Sequence, residues 1–239
     1  MSTPSTVSLI LHGHFYQPPR ENPWTDEVEQ QPSAAPYHDW NQRITAECYA
    51  SNGWARLLDD EGRIVRLVYN YAGISFDIGP TLFRWLERKA PETVRRIIEG
   101  DRDSVARCGD HGNAMAHPYV HAILPLADPK DRATLVKWGI AEFRSRFGHE
   151  PEGMWLPETG VDLATLELLS DYGIRYTVLA PWQATRVRPL GGERWHELGS
   201  DWIDPTRPYT CRLPHGGTID LFFYDAALSR AIAFDGLLQ

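Results

Sequence analysis

Cysteine is scarce in this chain of 239 residues, and its cysteines are not spaced for cross-linking or for metal binding. Cys48, Cys108 and Cys211 are far apart, odd in number and without a CxxC pair. Disulfide frameworks and zinc knuckles need paired or closely spaced cysteines. The pattern favours neither, and we expect three buried thiols.

A basic excess and long hydrophobic runs are also absent. The formal net charge is -8, from 24 Lys and Arg against 32 Asp and Glu, whereas a nucleic-acid-binding surface needs positive charge to neutralise phosphates. No apolar stretch approaches the roughly 20 residues of a membrane-spanning helix. We expect a soluble protein with no nucleic-acid partner and no membrane partner, and the oligomeric state is not indicated.

The apolar run near the amino terminus does not have the pattern of a secretion signal. It has no basic region before it and is broken by His12. We interpret residues 6–11 as a first strand buried on both faces. A cytoplasmic location follows from this interpretation.

Internal repeats and low-complexity segments are absent too, and strands alternate with amphipathic helices. The apolar spacing predicts helices at 81–88, 91–99, 131–147 and 162–172, and strands at 63–71, 174–179, 209–214 and 219–224. This order is typical of an α/β barrel, which at this length is commonly one domain. We expect one domain over residues 1–239.

Tryptophan and tyrosine, by contrast, are abundant, with nine and ten residues. Flat aromatic rings suit the apolar faces of sugars, although they equally suit protein cores. Trp24 lies in a long polar loop, and Trp182 follows the strand predicted at 174–179. Both are candidate sugar-binding residues.

Histidines are concentrated in two polar segments. His12 and His14 belong to the segment HGHFYQPP, and side chains two positions apart on an extended chain point the same way. His111, His117 and His121 fall in a second polar stretch, where residues without a structural duty are candidates for function. Both groups are suited to hydrogen bonding with ligand hydroxyls or to metal binding. No HExxH motif is present, and the spacing does not decide between the two.

The segment GMWLPETG, residues 153–160, ends a short apolar run with a single carboxylate, Glu158. Barrels of parallel strands place catalytic groups at this position, after a strand and before a helix. A glutamate near a helix start also stabilises the helix dipole without any catalytic role. The local pattern leaves both roles open.

Three of these segments resemble successive motifs of family 57 glycoside hydrolases. They are HGHFYQPP at 12–19, HPYVHAILPL at 117–126 and GMWLPETG at 153–160. The resemblance runs over nearly the whole chain and is closest to a bacterial subgroup with a large additional C-terminal domain. It implies a (β/α)7-type barrel, incomplete in this chain, that hydrolyses or transfers α-glucans with retention of configuration, without a metal or other cofactor.

The resemblance also assigns roles by position. It makes Glu158 the catalytic nucleophile and Trp155 the aromatic residue of the same motif. A position in the core is the equal alternative for Trp155, because tryptophan is often largely buried. It makes His12, His14 and His121 residues that contact the sugar.

Two departures from the family pattern are visible. The glutamate that many members carry near Asn113 is missing, and the motif that supplies the acid/base aspartate is not found. A retaining glycosidase needs that second carboxylate roughly 5 Å from the nucleophile, so we expect it beyond residue 239. Asp225, at a predicted strand end, is the in-chain substitute, and a turn or cap role is its alternative.

Two other functions are kept as alternatives. A metal-dependent polysaccharide deacetylase uses a related barrel, and its zinc ion would need His12, His14, His117 and His121 with a nearby aspartate. A carbohydrate-binding module that has lost the acid is the non-enzymatic alternative. The metal content of the purified protein would distinguish a deacetylase from a glycosidase. The sequence beyond residue 239 would distinguish a binding module from a glycosidase, because only the enzyme needs the acid/base motif there.

Overall fold

A computed structural model describes residues 8–237 of the chain. These residues divide into two compact units. The first contains the chain up to His121 together with Leu135–Pro151, and the second contains Ala122–Thr134 and the chain from Glu152 onward. The single domain expected over residues 1–239 stays a prediction. Across residues 8–237, every helix is too short or too polar to cross a membrane.

The first unit alternates strands and helices. In chain order its elements are β1 (His12–Phe15), α1 (Trp40–Ile44), a π-helical turn (Thr45–Tyr49), α2 (Ala50–Gly53), β2 (Ala55–Leu58), β3 (Ile64–Val68), β4 (Ser75–Ile78), α3 (Pro80–Lys89), α4 (Pro91–Arg107) and β5 (Ala114–Met115). Helix α5 (Pro129–Phe147) follows, and its residues from Leu135 onward belong to this unit. The helices predicted at 81–88, 91–99 and 131–147 are therefore confirmed, with α4 extending further than predicted.

A three-stranded parallel sheet in the order β1–β4–β5 forms the centre of the first unit. Its register places His12 opposite Ser75 and His14 opposite Asp77. Phe76, between these two β4 residues, is fully buried and packs edge-on against Tyr71. Alternate residues of β4 thus point to opposite faces, so the apolar side chain enters the core while Asp77 faces the histidines.

A strand does form within the predicted range 63–71, but the prediction that it belongs to the barrel sheet is wrong. Residues 64–68 form β3, which pairs with β2 in an antiparallel hairpin outside the parallel sheet. Its apolar side chains are largely exposed, with Val65 at 63%. The strand that precedes α3 is instead the shorter β4. Branched residues favoured a strand at 63–71, but they do not specify which sheet it joins.

Two further expectations about burial are wrong. Residues 6 and 7 of the predicted first strand lie outside the described residues, and 8–11 are not a strand, with Leu9 and Ile10 about 70% exposed. The strand begins later, at His12. Among the thiols, Cys108 is exposed at the end of α4, and Cys48 in the π-helical turn and Cys211 on β9 are half-buried.

The second unit contains a mixed sheet in the order β6–β10–β9. Its elements are α6 (Leu163–Asp171), β6 (Tyr176–Leu179), the two-residue strands β7 (Arg186–Val187) and β8 (His196–Glu197), β9 (Tyr209–Arg212), β10 (Thr218–Phe223) and α7 (Ala226–Ala233). Strand β10 is parallel to β6 and antiparallel to β9. The hairpin between β9 and β10 turns through Gly216 and Gly217, both at a positive φ that glycine adopts readily.

Candidate active site

A buried carboxylate on β4 organises the first group of candidate residues. Asp77 is fully buried and lies 3.1 Å from Nε2 of His12 and 3.0 Å from Nδ1 of His14. Burial by itself raises the pKa of this carboxyl, but the hydrogen bonds that His12 and His14 donate outweigh it and lower the pKa to about 2. Asp77 is therefore an ionised acceptor at neutral pH, and it orients both rings.

His12 and His14 share a face of β1, as their spacing predicted. Nδ1 of His12 also lies 3.0 Å from the hydroxyl of Ser75, so both of its ring nitrogens contact β4. His14 directs its other nitrogen, Nε2, to Nε2 of His121 at 3.2 Å. The ring of Tyr16 stacks on His121 with centroids 3.9 Å apart. Two of the motifs identified from the sequence thus meet in one unit.

His117 completes this group and is its most buried histidine, with 3% of its surface exposed. Its Nδ1 lies 2.6 Å from the carbonyl oxygen of Pro118, which can only accept, so Nδ1 carries the proton. Burial lowers the pKa of His117 to about 4, so the ring is neutral at pH 7. One ligand nitrogen from each of His14, His117 and His121 lies within 4.8 Å of the others, a spacing able to hold a metal ion.

The segment that carries His117 is held by helices α4 and α5. Asp101 accepts hydrogen bonds from the amide of Ala114 at 2.9 Å and from Nε2 of His149 at 2.7 Å. On α5, Gly139 packs so closely that a side chain there would overlap the carbonyl oxygen of His117. These contacts fix the position of His117 from two sides.

Glu158 lies in the second unit, after a short extended segment. Gly153 forms an isolated parallel β-bridge with Tyr176, and the amide of Met154 donates a hydrogen bond to the carbonyl oxygen of Tyr176 at 3.2 Å. The chain then turns through Pro157–Thr159. This is the strand-end position that the sequence predicted for Glu158, beside β6.

The turn places two successive non-glycine residues in the left-handed region. Glu158 has φ +55° and ψ +21°, and Thr159 has φ +52°. Residues other than Gly, Asn and Asp rarely adopt this conformation, because their side chains clash with the backbone. Such strained residues cluster at functional sites. The result is an exposed Glu158 side chain on a turn that is closed by the amide of Gly160, which donates to Pro157.

Gln183 secures that turn, and sequence reasoning gave it no role. Its Nε2 donates to the carbonyl of Thr159 at 2.8 Å, and its Oε1 accepts from the amide of Ala180 at 2.7 Å. The only sequence signal was its place just after a strand.

The candidate tryptophans occupy different environments. Trp24 is 92% exposed on its loop, whereas Trp155 is half-buried. Trp182 is 54% exposed and lies 5.6 Å from the ring of Trp202 and 6.0 Å from that of Tyr224. Trp202 was missed because it lies in an irregular segment without periodicity.

Asp225 has a structural role. It is the N-cap of α7, and its carboxylate accepts from the amide of Leu228 at 2.9 Å. This geometry confirms the cap interpretation of Asp225.

Comparisons with known proteins agree with the resemblance found in the sequence. The family model described as Glycosyl hydrolase family 57 matches residues 26–237. Alpha-amylase 1 of Dictyoglomus thermophilum is 26% identical over 99 residues, which are 41% of this chain and 13% of the amylase.

Solved structures show the fold. The 4-alpha-glucanotransferase of Thermococcus litoralis superposes with a TM-score of 0.58 at 16% identity, over 94% of this chain and 28% of the transferase. An exo-type maltose-forming amylase from a Pyrococcus species superposes with a TM-score of 0.61 at 14% identity, over 95% of this chain and 36% of the amylase. The chain thus spans less than half the length of each of these proteins.

These likenesses confirm the predicted fold class, a (β/α)7-type barrel that is incomplete in this chain. The family match covers most of the chain, including the turn with Glu158, β4 and the segment of His117 and His121. The chain belongs to glycosyl hydrolase family 57.

Proposed function

We propose that this chain carries the nucleophile of a retaining enzyme that hydrolyses or transfers α-glucans, and that Glu158 is that nucleophile. The observation that supports this most directly is the left-handed turn at Glu158 and Thr159, which presents an exposed carboxylate after an extended segment. The glucan-active names of the similar proteins agree with this substrate class.

The proposed reaction has two steps. The Glu158 carboxylate attacks the anomeric carbon, the bond from that carbon to the glycosidic oxygen breaks, and an acid protonates the departing oxygen. Water or a sugar hydroxyl then attacks the same carbon, the ester to Glu158 breaks, and the conjugate base of that acid takes the proton. We propose that the acid is an aspartate beyond residue 239. The capping role of Asp225 supports this.

Sugar recognition is proposed for the remaining candidate residues. His12, His14 and His121 would contact the sugar, with Asp77 orienting the first two. Trp24, Trp155 and Trp182 would stack on the apolar faces of glucose units. A neutral glucan is also the ligand class that the acidic net charge favours over nucleic acid. A cytoplasmic location is part of the proposal, and fractionation of the source cells tests it.

The test is covalent labelling with 5-fluoro-α-glucosyl fluoride, followed by peptide mapping. Fluoride departs without an acid, so the first step needs only a competent nucleophile. We expect one adduct, on Glu158, and none in Glu158→Gln. Glu193→Gln, which changes another exposed glutamate of the same unit, should label like wild type. An adduct on another residue, or a folded chain that stays unlabelled, contradicts the assignment.

A binding module is the second candidate, and the exposed pair Trp182 and Trp202 favours it. Binding of a maltooligosaccharide by a chain that is never labelled at Glu158 would support this function over the enzyme.

A further inference from the structure

Three histidines in the first unit bring ring nitrogens to one point. We call His14, His117 and His121 the histidine cluster. One ligand nitrogen from each lies within 4.8 Å of the other two, and Nε2 of His14 is 3.2 Å from Nε2 of His121. Zinc–nitrogen bonds of 2.0–2.1 Å in a tetrahedral site separate the nitrogens by roughly 3.4 Å. The cluster is therefore near the size of a three-histidine metal site.

His117 supplies the observation that points to a ligand. Its Nδ1–H is committed to the carbonyl of Pro118, which leaves the lone pair on Nε2. That Nε2 is buried and has no hydrogen-bond partner among the residues that the structure describes. Leaving a buried polar atom unpaired is costly, and a metal ion is one ligand that would satisfy this lone pair.

Asp77 fixes the orientation and the tautomer of His14, as carboxylates do for the histidines of metal sites. The fully buried carboxylate can only accept, so Nδ1 of His14 donates to it and Nε2 is left as the ligand atom. A histidine that donates its second nitrogen to a carboxylate is the usual arrangement in such sites. Metal binding would displace the proton shared by Nε2 of His14 and Nε2 of His121, to Nδ1 of His121 or to solvent.

We propose that the histidine cluster binds one divalent transition-metal ion, best matched by zinc, with Asp77 orienting His14. Neutral imidazole nitrogens select zinc and similar ions over magnesium and calcium. Three protein nitrogens leave a position of a tetrahedral ion for water or for a sugar hydroxyl. This site replaces the expectation of no metal and is independent of the role of Glu158. With the ion bound, the ligand nitrogens of His14 and His121 would reach a sugar hydroxyl only through the ion.

The test is a titration of the chelator-treated full chain with cobalt(II), read by the visible absorption of tetrahedral cobalt and by the rise in Tm. We expect one equivalent to bind and zinc to displace it. Asp77→Asn should weaken binding roughly 10- to 100-fold, as loss of an orienting partner does. His117→Gln and His121→Gln should each weaken it at least as much.

His38→Gln is the matched control, because Nδ1 of His38 also lies 3.0 Å from a carboxylate, that of Asp39, outside the cluster. It should bind cobalt as the wild type does. Circular dichroism identifies variants that fail to fold, and His121→Gln, at a less buried position, keeps the test decisive if His117→Gln is among them.

Two results would overturn the proposal. One is a folded wild type that binds no cobalt, since the cavity of about 20 Å³ that His117 helps to line is large enough for a water as the alternative ligand. The other is binding that survives all the cluster substitutions, which would show ions held elsewhere. Labelling of Glu158 in the presence of chelator is measured separately, so failure here leaves the proposed nucleophile intact.

Discussion

Gln183 binds the carbonyl of Thr159 through its amide nitrogen, at 2.8 Å, and so fastens the turn of Glu158 to the end of β6. Its amide oxygen simultaneously accepts from Ala180 at 2.7 Å. A side-chain amide offers both a donor and an acceptor, and Gln183 uses both here. The turn that carries the candidate nucleophile is therefore held by the Gln183 side chain.

Substitutions at Gln183 should slow labelling of Glu158. Gln183→Glu keeps the acceptor for Ala180 and loses the donor to Thr159, which should cost about 1 kcal/mol of unfolding free energy. A displaced carboxylate should be labelled roughly 10- to 100-fold more slowly. The measurements are the labelling rate and the urea midpoint. Gln183→Leu should show larger effects on both, and equal rates in all three proteins would argue against a positioning role.

Gly139→Ala should destabilise the chain although it lies inside a helix. Alanine normally improves a helix by about 1 kcal/mol relative to glycine. Here the added methyl group would overlap the carbonyl of His117, and overpacking costs about 1–3 kcal/mol. Ser145→Ala, at an exposed position of the same helix, is the control and should be neutral or stabilising. A higher urea midpoint for Gly139→Ala would contradict the close approach.

Asp162 should make the stability of the fold depend on pH in the acid range. It caps α6 by accepting from the amide of Thr165 at 2.7 Å, and it pairs with Arg132. Burial raises its pKa, but the bonds from Thr165 and Arg132 outweigh this and lower the pKa. A lowered folded-state pKa stabilises the fold above the unfolded-state pKa, about 3.9, and this stabilisation is lost as the pH falls below it.

Two variants separate the charge of Asp162 from its cap. Asp162→Asn keeps a good cap and cannot titrate, so its urea midpoint should fall less than that of wild type between about pH 6 and about pH 3. Asp162→Ala should be less stable than Asp162→Asn by about 1 kcal/mol at neutral pH. Parallel acid dependence in wild type and Asp162→Asn would exclude Asp162 as the titrating group.

The aromatic pair should contribute to glucan affinity. Replacing Trp182 or Trp202 with alanine should weaken binding of a maltooligosaccharide roughly 3- to 10-fold, as expected for loss of about 0.5–1.5 kcal/mol of stacking. Calorimetric titration measures this. Trp138, 55% exposed and packed against Tyr119, is the matched control, and Trp138→Ala should bind as the wild type does. Equal affinities for all four proteins would remove the pair from the binding surface.

The residues of β1 and β4 show what local pattern determines. The two-residue spacing of His12 and His14 was enough to predict a common face, because strand side chains alternate. Asp77 was missed because β4 is four residues long and the more β-rich segment at 64–68 drew the strand prediction. The sequence Ile74-Ser75-Phe76-Asp77-Ile78 just before Gly79 and Pro80 was the available signal.

The remaining site residues depend on contacts distant in sequence. Gln183 reaches Thr159 across 24 residues, and His14 reaches His121 across 107. Periodicity describes neighbours along one element and does not report which loops meet. The resemblance located the motifs, but it did not reveal the polar network of Asp77, His14 and His121 within the first unit.

The left-handed turn at Glu158 sets the stability of the fold against the proposed role of that carboxylate. A residue other than Gly, Asn or Asp costs roughly 1–2 kcal/mol in this conformation, so Glu158→Asn and Glu158→Gly should fold more stably than wild type while losing the proposed nucleophile. A mutant library screened only for soluble expression would drift away from glutamate at 158. Retention of glutamate under that screen would indicate that the turn is not strained, whereas its loss would indicate that glutamate lowers the stability of the fold at this position.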